Sequence, residues 1–118
     1  MKVRYTSRSL ERHVAATREQ TWFALLAELE RRTGGDDALV ESVLSLEPPW
    51  RRCARVVGPM PLEFYEGTFV LRDDGDECHL SWGVVVDPEP TDAGWAHLEA
   101  AMTATGALMD RVVAAAAD

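Results

Sequence analysis

LEFYEGTFVLRDDGDECHLSWGVVV, residues 62–86, contains two strand-like runs around one turn. In the first, Leu62 to Arg72, the residues Tyr65, Gly67, Phe69 and Leu71 fall on one face. In the second, Glu77 to Val86, one face takes Cys78, Leu80, Trp82, Val84 and Val86, while His79, Ser81 and Gly83 alternate on the other. Alternation with a period of two marks strands that bury one face. Between the runs, Asp73-Asp74-Gly75-Asp76 forms a hairpin turn. Its Asp-Gly step reaches positive φ at low cost because glycine has no Cβ to clash.

The same reading extends outward from this hairpin. Trp50 to Val57 forms a preceding strand, closed by Gly58-Pro59-Met60-Pro61. Ala38 to Leu46 forms another, ended by Pro48-Pro49, since neither proline can donate to a ladder. Val3 to Val14 alternates Leu10, Arg12 and Val14 against Glu11 and His13, which predicts an edge strand or one with a wet face. Thr17 and Gln20 have the spacing of a capping box. From Arg18, the residues Trp22, Leu25, Leu26 and Leu29 recur at helical spacing. This helix should stop near Thr33, where Gly34-Gly35 offers a left-handed exit and Asp36-Asp37 a solvated turn. After Asp87-Pro88-Glu89-Pro90, Thr91 or Asp92 caps a last helix from about Ala93 to Ala117. Its stripe is Trp95, Leu98, Met102, Thr105, Met109, Val112 and Ala116, and its length is roughly 35 Å. The order β-α-β-β-β-β-α predicts an α+β domain: a curved antiparallel sheet of about five strands, packed on a long C-terminal helix.

The totals narrow the function classes. A chain of 118 residues has room for one core, and 47% hydrophobic with 27% charged residues places it among ordinary globular domains rather than disordered ones. The net charge of −8 opposes binding to nucleic acid and to anionic membrane surfaces, because like charges repel at long range. Met1 to Thr6 lacks the apolar core of a signal peptide, and no apolar run approaches the roughly 18 residues of a membrane span. A cytoplasmic setting follows, with Cys53 and Cys78 as reduced, buried or half-buried thiols. There is no CxxC, nucleophile elbow, phosphate loop or metal-ligand cluster, so no cofactor or metal is expected.

Several short motifs resemble those of one family. Val14-Ala15-Ala16-Thr17 with Trp22 and Leu25-Leu26 resembles the entry into the START-like polyketide cyclase/dehydrase superfamily (SRPBCC). Leu46-Glu47-Pro48-Pro49-Trp50-Arg51, Arg55-Val56-Val57-Gly58, Tyr65-Glu66-Gly67-Thr68 and Leu80-Ser81-Trp82 then follow in that family's order. The resemblance covers nearly the whole chain and implies a single START-like domain over residues 1–118. The implied fold is a helix-grip, with a cavity for lipids, polyketides or other apolar molecules between sheet and C-terminal helix. Members of the family usually carry two more strands before the segment at Ala38. Here Gly34-Gly35-Asp36-Asp37 passes almost directly into it, so a hairpin is missing, the cavity should be smaller or open on one side, and the exposed sheet edge is a contact for a homodimer.

Alternation and helical phase select a candidate inner wall: Trp22, Arg52, Tyr65, Phe69, Leu80, Trp82, Met102 and Met109. Core packing is the competing reading for the aromatics and methionines. Arg52 shares a face with Ala54 and Val56, and an inward guanidinium needs an anion. That anion is a ligand carboxylate, Glu63 or Glu47, unless Pro48-Pro49 shifts the register and turns Arg52 outward. His13, His79 and His97 read as surface residues without a recognisable partner. The leading functional reading is a module that binds or carries an apolar small molecule. The alternatives are a cyclase or dehydratase in which Arg52 and Tyr65 orient a carbonyl or enolate, and a ligand-free module that completes its sheet by dimerising.

Overall fold

A computed structural model describes residues 4–32 and 39–118. The elements are β1 (Thr6–Val14), α1 (Arg18–Arg32), β2 (Val40–Glu47), β3 (Arg51–Val57), β4 (Tyr65–Asp74), β5 (Glu77–Val86) and α2 (Asp92–Ala116). The expected order and class hold, as a five-stranded antiparallel sheet with strand order β1-β5-β4-β3-β2. The expected glycine exit at Gly34-Gly35, Thr33 and Asp36-Asp37 lies outside the described residues, as do Val3 and Ala38.

Local chemistry explains the element ends. The Thr17 amide donates to Gln20 Oε1 at 3.0 Å and the Gln20 amide to Thr17 Oγ1 at 3.2 Å, so the capping box closes both ways. Of the two residues expected to cap α2, Thr91 does so, accepting from the Gly94 amide at 3.1 Å. The central hairpin turns at Gly75, whose φ is 64°. β4 begins at Tyr65, three residues later than expected, because the Asp87 carboxylate takes the amides of Glu63 at 3.0 Å and Phe64 at 2.7 Å. Those two amides are thereby withdrawn from any ladder.

Both helices cover the same face of the sheet. α1 lies on β4 and β5, and with it Trp22, Leu25 and Leu29 join Leu71, Leu80 and Val14 in one apolar core. α2 packs against α1 and β1. A glycine permits the approach to β1, since a Cβ on Gly106 would sit 3.3 Å from Arg12 Nη2. At the start of the helix a Cβ on Gly94 would sit 2.9 Å from the Pro61 carbonyl oxygen of the β3–β4 connection. Polar contacts then fasten the helix. Arg12 Nε reaches Asp110 at 2.7 Å, the Arg8 guanidinium lies 5.0 Å from the Trp95 ring, and Arg111 Nε reaches the buried Glu28 at 3.0 Å. Among the described residues no helix is long and apolar enough to cross a membrane.

Met109 is fully buried between α2 and the sheet. Met109→Ala should lower the unfolding free energy by about 2–5 kcal/mol, since the remaining core fills such a void only in part. Urea denaturation measures this, and a loss below about 1 kcal/mol would mean that α2 is not gripped there.

Candidate ligand cavity

Sheet register sets up the site. Across β3, β4 and β5, Arg52, Phe69 and Trp82 form one inward row and Ala54, Gly67 and Val84 the next, and Tyr65 and Val86 pair in the row beyond. The middle row carries almost no side-chain volume on β3 and β4. The facing stretch of α2 is equally small, with Ala100, Ala101 and Ala104. Because α2 leans toward β1, no described residue fills the space above β3 and β4. The result is a cavity of about 810 Å³. That is large within the roughly 300–1,000 Å³ typical of ligand sites.

A β-bulge between Val43 and Ser45 brings charge to this wall. Val43 pairs with Ala54 and Ser45 with Cys53, so Leu44 is the extra residue and the side-chain phase of β2 reverses there. Glu41 thereby shares the inner face with Arg52. Arg52 Nη2 meets Glu41 Oε1 at 2.5 Å, and Arg32 Nη2 meets Glu41 Oε2 at 2.7 Å. Arg52 does face inward, but its anion is Glu41 rather than the expected Glu63 or Glu47. The sequence offers no direct signal for this, because the bulge that realigns Glu41 depends on pairing with β3.

Four of the eight selected residues line the cavity: Arg52, Tyr65, Phe69 and Trp82. The other four do not. Trp22, Leu80 and Met109 belong to the buried core, and Met102 packs against it, half-buried. The reason is position along the sheet. Leu80 pairs with Leu71 one row nearer the hairpin, and α1 lies over β4 and β5 with its Trp22 in the same core. The helix stripe through Met102 and Met109 points into packed core, while the alanine face beside it meets the void. Ala54, Gly67, Ala100, Ala101 and Ala104 were not selected, because small residues give no hydrophobic signal. A cluster of them on facing elements is the pattern that would have marked a hollow.

The histidines also depart from expectation. His97 lines the cavity, edge-on to Tyr65 with ring centroids 6.4 Å apart. On the opposite sheet face, His13 Nε2 meets Glu77 at 2.7 Å and His79 lies 3.4 Å from Glu11. Both cysteines are free and buried, as expected. Burial foremost raises the Cys78 thiol above its usual range, against the lowering effect of its Thr21 contact.

The cavity has one wet side. Val40 and Val43 on its β2 wall are 55% and 49% exposed. No hairpin covers them among the described residues, so of the two expected outcomes, a smaller cavity or one open on one side, the cavity is open on one side.

Tyr65 gives the site a measurable pH signature. Burial, partly offset by Arg32 and reinforced by Glu41, pushes its phenol from 10.0 up to about 12. Below pH 10 the folded and unfolded chains both hold this proton. Between 10 and about 12 the unfolded chain releases it first, so stability should fall as pH rises through that window. Tyr65→Phe should flatten this fall in urea midpoints, and an unchanged slope would place Tyr65 in water.

No family model matches the chain, and no curated protein matches its sequence. Solved structures do match. CalU16 from Micromonospora echinospora is 14% identical with a TM-score of 0.69, covering 92% of this chain and 73% of its own. Ara h 8.0201 is 9% identical with a TM-score of 0.69, covering 95% and 97%. XoxI from Bacillus cereus is 13% identical with a TM-score of 0.70, covering 97% and 96%. At such identities the likeness is one of fold. The chain shares with these structures the helix-grip fold, a curved antiparallel sheet packed on a long C-terminal helix.

Proposed function

We propose that the protein binds an apolar small molecule in the cavity between its sheet and α2. The observation that supports this most directly is the space of about 810 Å³ bordered by Phe69, Trp82, Val56 and the alanine face of α2. A ring-sized apolar guest placed there would gain about 25 cal/mol for each Å² taken from water, without opening a packed core. A ligand-free module would instead have a filled interior, so the volume weighs against that alternative. The cyclase or dehydratase alternative gains the inward Arg52. Its Glu41 carboxylate is engaged by two guanidinium groups and its Tyr65 phenol keeps its proton up to about pH 12, which leaves the His97 ring as the basic group on the wall.

Titration calorimetry with a panel of apolar ring compounds tests the binding reading. At least one should bind with micromolar affinity, and Ala101→Phe, which fills the cavity from α2, should weaken it by about tenfold or more. Binding that ignores Ala101→Phe would place the guest elsewhere.

A second reading concerns the sheet edge. Among the described residues β2 has no partner on its outer side, and it exposes Val40, Val43, Leu44 and Leu46 to solvent. Such an edge is a template for pairing with a second copy. Light scattering at micromolar concentration should then give a dimer mass, reverting to monomer in Leu44→Lys. A monomer mass for the unaltered chain refutes it.

A further inference from the structure

The polar groups on the cavity wall are unequally divided between donors and acceptors. Trp82 is 3% exposed, and its indole nitrogen opens on the cavity above Gly67, where a Cβ would stand 2.9 Å from Nε1. That N–H can only donate, and it meets no acceptor among the described residues. Thr105, 4% exposed, also lines the cavity. A helical threonine commonly donates to the carbonyl four residues back, as Thr21 does to Thr17 at 2.8 Å. Thr105 makes no such bond. Arg52, 9% exposed, commits Nη2 to Glu41 and leaves its other nitrogens unpartnered among the described residues. Against these donors stand the Glu41 carboxylate, with both oxygens already engaged, and the Tyr65 hydroxyl and His97 ring, which can each accept as well as donate. Among the described residues the buried side-chain atoms without a partner are Arg18 Nε and His79 Nε2, so these cavity donors are open to solvent, and a guest that covers them is favoured when it brings an acceptor.

We infer that the guest is an apolar molecule carrying an sp² acceptor oxygen, as in a ketone, an aldehyde or a carboxylate, held by Trp82 Nε1–H and the Thr105 hydroxyl. Arg52 lies in the same sheet row as Trp82, two strands away and so roughly 10 Å across the sheet. Arg32, Arg52 and Glu41 together carry one net formal positive charge, which favours an anionic oxygen and repels an ammonium group. This inference rests on the cavity being a ligand site.

A matched ring series separates the two claims. Calorimetry would compare naphthalene, 2-acetylnaphthalene, 2-naphthoate and 2-naphthylmethylammonium on the unaltered chain and on Trp82→Phe and Thr105→Val. Acetylnaphthalene or naphthoate should bind about fivefold tighter than naphthalene or better, and the ammonium compound should bind more weakly than either. Loss of that advantage in either variant, with naphthalene affinity unchanged, supports the assignment, and the unchanged naphthalene affinity shows that the variant is folded. Equal affinities across the series, or an advantage that survives in both variants, would overturn the acceptor assignment while leaving the cavity as a binding site. Failure of all four compounds to bind would remove both.

Discussion

The lateral position of α2 governs the rest of the molecule. A straight helix cannot follow a twisted, curved sheet along its whole width, so close contact on one side leaves a gap on the other. Here the close side is β1 and α1, with Gly106 at the approach to β1 and Arg12–Asp110 and Glu28–Arg111 as fasteners, while Gly94 seats the start of the helix against Pro61 and Leu62. A side chain at Gly106 would press on Arg12 and lift the helix. The gap is the cavity, and it lies over β3 and β4 because those strands are farthest from the fasteners.

A gap survives only where no side chain can fill it. Protein interiors pack to near-crystalline density, and a large residue at any of five positions would close the space. Ala54 and Gly67 keep the sheet side low, while Ala100, Ala101 and Ala104 do the same for the helix. Around this hollow the walls are heavy: Phe69 and Trp82 at the floor, Tyr65 and His97 toward one end. The combination is a small-residue hollow bordered by aromatic edges. Its polarity is set apart from its shape, since the Arg32–Glu41–Arg52 group reaches it only through the bulge at Leu44.

The sheet's two faces also divide their labour. The inner face carries the apolar core and the cavity, and the outer face carries an exposed His13–Glu77 pair and a half-buried His79 beside Glu11. Such pairs add little stability in water. They do keep an uncovered sheet face soluble, which matters in a domain that places both helices on one side.

The strands, their buried faces, the hairpin at Gly75 and both helix caps were legible in the sequence, because each depends on neighbours within a few residues: a period of two, a glycine φ, a threonine three residues before an amide. The order of elements followed from them. Tertiary structure decided which apolar residues meet a void and which meet each other. Trp22, Leu80 and Met109 have the same pattern signature as Phe69 and Trp82, yet α1 covers the first group and α2 stands away from the second. It likewise decided the anion for Arg52, since pairing with β3 forces the bulge that turns Glu41 inward. Periodicity records what a side chain prefers to avoid, which is water. It does not record whether a neighbouring element comes close enough to touch it.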